Sequence, residues 1–585
     1  MADLVADAPS RRPALRLRFS LDTAVMVAAV LILLYLIGVP LIMNVLTAFR
    51  GPIDFLPFEN NAKFTFDNIP AAYGTSRTWT TFWDTGLFAI GAVSLGFAVG
   101  GALAWLVERT DIPFRNVIFV MAIIPIMMPP INSALAWIFM LGKTNGFINV
   151  VIRGVFRMEG SGPFDIFTLY GMIIVQGLGV STLIFLLVGA ALRNMDSSLE
   201  EASAASGASQ LTTFRRVTLP LLLPIILSVL ILAFIFAIES FEVPLVIGLG
   251  ARRQVFAGTV YFALNPAAGL PRYGEVAAFS LSFLTITYIL FYYYSRLTKR
   301  ASRFATVTGK GFRPRRQQLG RWKYPALAGI TVFGLFQIVF PLSILLWTSL
   351  LGRFAAPSIS ALGDLSLDSY RSIFADDRFG LALRNTFVVA FGSALLVSFV
   401  SIIVAWIVVR RNVRGKRLLD LIASSSVAIP GVVAGLSFVI FYLTISRWIP
   451  IWGTIWVLVL AYSYRLSLAY RVHVAGLTQI GGELEEASAA SGASFLSTFK
   501  RIIVPLMAPN LMVVFLLIFF LAFRDFTLAL LLSGRDSMVL SVLMWNRLSE
   551  SEFGEAAAIS VVIMVALFTM AAVMRGLVLK RFRNF

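Results

Sequence analysis

The chain has 585 residues, 58% of them hydrophobic and 14% charged, and a formal net charge of +19. This composition predicts a membrane protein with many spans, because soluble globular chains are nearer about half apolar and about one-quarter charged. The sequence contains no cysteine and one histidine, His473, which excludes disulfides and thiolate chemistry and argues against a histidine-based metal site.

Apolar runs long enough to cross roughly 30 Å of hydrocarbon as a helix recur about twelve times along the chain. In chain order they cover roughly 22–48, 84–107, 115–140, 167–192, 221–247, 275–296, 324–350, 383–409, 418–445, 451–475, 506–533 and 555–578. The first run is longer than the apolar core of a signal peptide and lacks a convincing cleavage site. We therefore expect it to remain in the protein as the first span.

Basic residues concentrate in alternate loops between these runs. Residues 296–323 contain ten basic side chains and no acidic one, and residues 410–417 contain five more basic side chains. Such loops are typical of cytoplasmic segments, which puts both termini in the cytoplasm, and nucleic-acid binding is the weaker alternative. The expected organisation is a cytoplasmic tail at 1–20, a first transmembrane domain at 21–297, a basic linker at 298–323 and a second transmembrane domain at 324–585.

One phrase occurs in both halves at an offset of 285 residues. The first copy reads LEEASAASGASQLTTFRRVTLPLLLP at Leu199–Pro224, and the second reads LEEASAASGASFLSTFKRIIVPLMAP at Leu484–Pro509. Shorter correspondences agree, since Thr85 in one half matches Thr386 in the other. Six spans per half give both halves the same orientation, related by an axis along the membrane normal. A transport path is then expected between the halves.

The repeated phrase has the features of a short helix, a sharp turn and a second helix. Two glutamates open it, where the helix dipole favours negative charge. Gly207 and Gly492 can take the left-handed conformation that ends a helix, and Pro220 and Pro505 suit the start of the next one. The alternative is a solvated Ala/Ser-rich loop, which would not require two near-identical copies. The pattern therefore predicts two docking elements for two equal partners.

This phrase resembles the EAA loop of permease subunits of bacterial ABC importers, in which Glu-Ala-Ala is followed by a glycine and later by a hydrophobic residue, any residue, Leu and Pro. Serine at the third place, at Ser203 and Ser488, is a mild departure. The likeness covers essentially the whole chain and is nearest to fused permeases of ferric-iron importers, with thiamine and phosphonate permeases as alternatives. It implies an all-α integral membrane protein of about 12 transmembrane helices, as two parallel six-helix pseudo-repeats with cytoplasmic coupling helices.

The resemblance also implies partners. Each loop would be a coupling helix that sits in a cleft of a cytoplasmic ABC ATPase, and two ATPase copies and a periplasmic solute-binding protein are expected at the bacterial inner membrane. The residues assigned to ATPase coupling are Glu200, Glu201, Ala202, Gly207, Glu485, Glu486, Ala487 and Gly492. ATP and magnesium are expected on the partner subunits, with no cofactor, metal site or catalytic site in this chain. The GKT sequence at Gly142–Thr144 lacks the preceding glycine of a phosphate-binding loop.

Polar and charged residues inside apolar runs are candidates for the transport path. These candidates are Gln176, Glu239, Glu242, Arg524 and Asp525. Paired acids suit a cation, and ferric ion prefers oxygen ligands, but Arg524 equally favours an anion such as a phosphonate. Ferric iron, thiamine, a polyamine and a phosphonate therefore stay open, and the resemblance alone favours iron. The alternatives are that the acids simply end helices, and that the protein is an ion-driven secondary transporter, which the duplicated loops argue against.

Overall fold

A computed structural model gives the fold of residues 21–51, 59, 61–195, 198–301, 316–411, 413 and 415–582. The predicted tail at 1–20 and positions 302–315 of the predicted linker lie outside these residues. The described part of the chain is almost entirely helical, and its two-residue strands β1 (Arg50–Gly51) and β2 (Lys63–Phe64) pair antiparallel. The expectation of an all-α membrane protein is confirmed.

The described residues of the first half form fourteen α-helices, with π-turns at Leu34–Gly38 and Phe214–Thr218 and a 3₁₀ turn at Ile124–Met127. The helices are α1 (Leu21–Leu33), α2 (Val39–Thr47), α3 (Asn68–Tyr73), α4 (Ser76–Arg109), α5 (Arg115–Ile123), α6 (Pro130–Leu141), α7 (Phe147–Phe156), α8 (Leu169–Arg193), α9 (Ser198–Ala205), α10 (Gln210–Thr213), α11 (Leu219–Ile238), α12 (Glu242–Ala251), α13 (Phe256–Leu264) and α14 (Tyr273–Ala301).

In the part of the second half that the structure describes, the chain forms fifteen α-helices. They are α15 (Lys323–Gly334), α16 (Phe340–Leu351), α17 (Asp368–Ala375), α18 (Asp377–Arg410), α19 (Lys416–Ser425), α20 (Gly431–Ile445), α21 (Ile455–Ala461), α22 (Leu466–Gln479), α23 (Glu483–Ala490), α24 (Phe495–Thr498), α25 (Val504–Leu506), α26 (Ala508–Phe523), α27 (Thr527–Leu532), α28 (Leu540–Ser549) and α29 (Phe553–Phe582). The π-turns are Leu335–Val339 and Phe499–Ile503, and the 3₁₀ turns are Gly320–Trp322, Ser360–Asp364, Ser426–Ala428 and Tyr462–Arg465.

Eight helices of the described residues are long and apolar enough to span a membrane, and three bent pairs raise the number to eleven. The α5–α6 pair bends by 101° and the α19–α20 pair by 114°, at Pro129–Pro130 and Pro430, because proline cannot continue a helix. The twelfth expected span, at 451–475, is not confirmed as a span. Its chain is divided into α21 and α22 by the 3₁₀ turn that contains Arg465.

Two predicted spans end earlier than their apolar runs. The run at 221–247 breaks after Ile238 and resumes as α12, and the run at 506–533 breaks after Phe523 and resumes as α27. Both breaks fall where charged side chains interrupt the apolar pattern. The breaks occupy equivalent positions in the two copies, which makes them a feature of the repeat.

The duplication is present in the hydrogen bonds as well as in the sequence. Thr85 Oγ1 accepts a bond of 2.9 Å from the Phe256 amide, and Thr386 Oγ1 accepts one of 2.9 Å from the Leu540 amide. The helices that carry these threonines, α4 and α18, are both 34 residues long. The two halves are therefore built from the same internal contacts.

The first span of each half packs against the other half. Helix α2 lies on α20, and α16 lies on α6. The Ser463 hydroxyl donates a hydrogen bond of 3.1 Å to the Leu36 carbonyl across this contact, and Asn132 donates one of 3.1 Å to the Ser560 carbonyl. This exchange joins the halves through one continuous apolar core.

Candidate coupling loops and interface between the halves

The first repeated phrase forms a short helix, a left-handed turn and a second helix. Helix α9 ends in a turn where Gly207 has φ +78°, and the Ala208 amide donates back to the Ser203 carbonyl at 3.1 Å. A φ in this range favours glycine because it has no Cβ. The hydroxyls of Ser203 and Thr213 lie 2.9 Å apart and tie the two helices together. The predicted helix-ending glycine is confirmed.

The second phrase repeats this geometry closely. Gly492 has φ +76°, and the Ala493 amide donates to the Ser488 carbonyl at 3.1 Å. The hydroxyls of Ser488 and Thr498 are 2.8 Å apart. In the first copy the second helix continues through a π-turn into α11, so no new helix starts at Pro220. In the second copy it continues through a π-turn past Pro505 to Leu506, and a bend of 74° then separates it from α26. The extra residue of a π-turn lets a proline follow within a helical segment.

The first glutamate of each phrase is ion-paired inside the chain. Glu200 Oε2 lies 3.0 Å from Arg109 Nη1, and Thr218 Oγ1 donates to Glu200 Oε1 at 2.7 Å. Glu485 Oε1 lies 2.9 Å from Arg410 Nε, and the indole of Trp406 donates to its other oxygen at 3.1 Å. Arg109 and Arg410 are the last residues of α4 and α18. Each loop is therefore fastened to the end of a long helix.

The second glutamate of each phrase lies on the exposed face. Glu201 and Ala202, like Glu486 and Ala487, are exposed to solvent. Four exposed leucines surround these residues: Leu199, Leu211, Leu484 and Leu496. Exposed apolar side chains on a projecting turn are a common mark of a protein contact. The sequence interpretation did not name these leucines, although they are identical in the two copies.

The predicted path residues gather where the two halves meet at the breaks after α11 and α26. The rings of Phe241 and Phe526 stack across the halves with centroids 5.8 Å apart. Glu239 Oε1 lies 3.4 Å from Arg465 Nη1, and the Thr527 hydroxyl donates to Glu242 Oε1 at 3.2 Å. Both acids of the first half thus contact polar side chains of the second half.

The remaining path candidates divide between the interface and the interior of each half. Arg524 crosses to the first half and donates to the Ile126 carbonyl. Gln176 Oε1 accepts a bond of 2.9 Å from Ser240, within the first half. Asp525 accepts from the Leu528 amide at 2.9 Å and from the Tyr462 hydroxyl at 3.3 Å, within the second half.

Three residues of this cluster were missed from the sequence: Tyr462, Tyr464 and Arg465. They belong to the 3₁₀ turn that divides α21 from α22, and the position equivalent to Arg465 in the first half is Val180. The available signal was an arginine inside an apolar run, which marks functional sites in membrane proteins. Arg465 was missed because matching the two copies points to shared residues, and the first copy has a valine at this position.

A small cavity beside Asp525 is lined by side chains of the second half. The cavity beside Asp525 has a volume of about 10 Å³, which is about what one water molecule needs. Across the described residues, no group of three or more histidine or acidic side chains is placed to hold a metal ion. The acids at the break are therefore engaged with neighbouring side chains.

Comparison with known proteins matches both halves to one family. Residues 92–303 and 397–584 match the family described as "Binding-protein-dependent transport system inner membrane component". Each matched stretch contains one coupling loop and one of the two helix breaks.

Individual relatives are similar over different lengths. The chain is 28% identical over 492 residues to the "Ferric transport system permease protein FbpB" of Actinobacillus pleuropneumoniae, covering 83% of this chain and 69% of that protein. It is 28% identical over 439 residues to the "Putative ferric transport system permease protein FbpB 1" of Haemophilus influenzae, covering 73% of this chain and 66% of that protein. It thus spans about two thirds of the length of these two relatives. A 214-residue stretch is 30% identical to the "Trehalose transport system permease protein SugB" of Mycobacterium tuberculosis, covering 35% of this chain and 77% of that protein.

Proposed function

The chain belongs to the family of binding-protein-dependent transport system inner membrane components, and from this premise we propose that it is a two-domain membrane subunit of an ATP-driven importer of ferric iron. The observation that carries the proposal is the similarity to ferric permeases over both halves of the chain. Two family matches in one polypeptide supply the two halves that a translocation path between parallel repeats requires.

The choice of iron among possible solutes is supported by the relatives and by the chemistry of the interface. Carboxylates of Glu239, Glu242 and Asp525 are hard oxygen donors of the kind that a ferric ion prefers. In the described residues these acids are not grouped to hold a metal ion, so the relatives carry the choice of iron. A sugar permease is also similar to part of this chain, so the domain type alone does not select the solute. Thiamine, a polyamine or a phosphonate on the same machinery is the alternative, and an ion-driven secondary transporter is the alternative class.

The proposed partners follow from the two loops. One ATPase subunit would hold each coupling loop, with ATP and magnesium bound by the ATPases and no cofactor in this chain. A periplasmic binding protein would deliver the solute to the opposite face. The chain would lie in the inner membrane of a bacterium as a multi-pass protein with both termini in the cytoplasm. No nucleic acid takes part.

The two glutamates of each loop would have separate tasks in coupling. Glu201 and Glu486 would contact the ATPases, together with the exposed alanines and leucines around them. Glu200 and Glu485 would hold the loop on Arg109 and Arg410, so that a displacement of the loop moves α4 or α18 as a rigid body. The same displacement would act through the π-turn on α11, whose far end carries Glu239.

Uptake by the reconstituted assembly tests the proposal. The chain, its ATPase and its binding protein would be placed in proteoliposomes and supplied with radioactive ferric iron, with ATP on the ATPase side. We expect ATP-dependent iron accumulation that requires the binding protein. Accumulation of thiamine or a phosphonate in place of iron would overturn the solute assignment, and uptake driven by an ion gradient without ATP would overturn the class.

A further inference from the structure

Arg465 lies between the two halves in a position that a positively charged solute would need. We infer that its guanidinium is a tethered cation that closes the path by occupying the Glu239 carboxylate, to which a multivalent cation binds during transport. The solute in this inference rests on the proposed function. The assignment concerns a specificity-determining residue within the interface.

The immediate surroundings of Arg465 point to a cation site. Its Nη1 atom is 3.4 Å from Glu239 Oε1, and its guanidinium lies 4.6 Å from the centre of the Tyr464 ring. The Glu239 side chain is 8% exposed, and its other oxygen, Oε2, has no hydrogen-bond partner among the described residues. The Tyr464 hydroxyl is likewise buried and without a partner in the described part of the chain. Two buried oxygen atoms beside one guanidinium thus have unused bonding capacity.

The acids at the break outnumber the guanidiniums by one, and loss of Arg465 would raise this excess to two. The acids Glu239, Glu242 and Asp525 stand against the guanidiniums of Arg465 and Arg524. Arg524 is engaged with the Ile126 carbonyl, so Arg465 is the cation in direct contact with a carboxylate. A buried carboxylate that loses its partner is strongly unfavourable. Withdrawal of Arg465 would therefore leave a site that favours another cation.

The arrangement is one-sided, as a closing device between two halves requires. Glu239 and Glu242 belong to the first half, and their equivalents in the second half are Arg524 and Thr527. The equivalent of Arg465 in the first half is Val180. An acid on one half and an arginine on the other attract, whereas identical charges on both halves would repel. Separation of the halves would release the carboxylates to the solute, and return of Arg465 would displace the solute.

Terbium binding to the purified full chain tests this inference without transport. Trivalent terbium binds carboxylate oxygens, and its emission is sensitised by nearby tyrosines such as Tyr464. In lipid nanodiscs, we expect Arg465→Gln to bind terbium at least tenfold more tightly than the unchanged chain, as read by tyrosine-sensitised emission. Adding Glu239→Gln to that variant should remove the gain, which separates this site from surface carboxylates.

Two controls make the outcome specific. Arg471→Gln removes an exposed arginine from the neighbouring α22 and should leave terbium binding unchanged. Arg465→Lys keeps the charge and should resemble the unchanged chain. No gain in Arg465→Gln, or an equal gain in Arg471→Gln, would overturn the inference.

A charge exchange covers the case in which Arg465→Gln does not assemble. The double variant Glu239→Arg with Arg465→Glu restores an ion pair across the halves, and we expect it to assemble with the low terbium emission of the unchanged chain. Loss of assembly in the exchanged pair as well would overturn the inference. If Arg465→Gln gains terbium affinity but the assembly takes up no iron, only the iron assignment is refuted. If the assembly takes up iron but Arg465→Gln gains no terbium affinity, only the role of Arg465 is refuted.

Discussion

The two coupling loops are nearly identical, whereas the two helix breaks at the interface have diverged in every charged side chain. In the loops, the turning glycines differ by 2° in φ, and the hydroxyl pairs that tie the helices differ by 0.1 Å. At the breaks, both copies share the backbone course, and each contributes one of the stacked rings Phe241 and Phe526. The charged positions differ, because Glu239 is replaced by Arg524 in the second copy and Glu242 by Thr527.

The physical demands on these two regions differ. In the proposed assembly each loop would face an ATPase subunit, and two equal partners would require two equal surfaces. The breaks face each other, and a charged interface between two halves is favourable only where the facing charges are complementary. Divergence at the breaks is therefore what makes contacts such as Glu239 with Arg465 possible.

The largest effect is expected from reversing the exposed charge of both loops. Glu201→Lys with Glu486→Lys should abolish uptake by removing ATPase docking, and each single variant should give a similar partial loss because the loops are equivalent. Co-purification with the ATPase and solute uptake are the measurements. Glu159→Lys, an exposed change of the same charge away from the loops, is the control. A double variant that still binds its ATPase and transports normally would refute the coupling assignment.

The ion-paired glutamates, Glu200 and Glu485, should contribute unequally to stability. Glu200→Gln leaves Arg109, which is 2% exposed, without its ion pair and should cost about 3 kcal/mol of stability. Glu485→Gln should cost about 1 kcal/mol, because Arg410 also donates to the Leu477 and Ile480 carbonyls. Thermal unfolding of the detergent-solubilised chain measures both. Equal costs would show that the additional contacts of Arg410 do not matter.

Neutralising the acids at the first break should affect transport and leave assembly intact. Glu239→Gln with Glu242→Gln should lower solute uptake by about tenfold, equivalent to about 1.4 kcal/mol. The reason is that the path loses two negatively charged carboxylates. Uptake at matched levels of assembled complex is the measurement, with Glu159→Gln as an exposed control. Unchanged uptake would show that these acids only end helices and take no part in transport.

The smallest effect is expected from the glycines of the turns. Gly207→Ala and Gly492→Ala place a Cβ in the left-handed region at a cost of about 1 kcal/mol each, with open space around both positions. The affinity of the ATPase for the chain should fall several-fold and by equal factors in the two variants. A loss confined to one variant would mean that the two loops do not bind equivalent partners.

Much of the fold followed from patterns that are local or repeated. The phrase at 199–224 and its copy predicted two helix–turn–helix loops, since a glycine after a short helix has the same effect in any surroundings. The prolines at the start of α6 and before α20 coincide with the bends of the two broken helices, because proline cannot continue a helix. The run at 451–475 stays a prediction as a span, because its helical chain contains the turn around Arg465.

By itself, the sequence determined the class of fold, the duplication and the family, because these depend on composition, period and a motif that occurs twice. Only the tertiary structure decided which of two adjacent glutamates is exposed and which is ion-paired within the chain. Neighbouring residues on a helix point about 100° apart, and the packing of each loop against Arg109 or Arg410 turns Glu200 and Glu485 inward. The structure also decided the pairing of Glu239 with Arg465, because these residues are 226 positions apart and meet only when the two halves assemble.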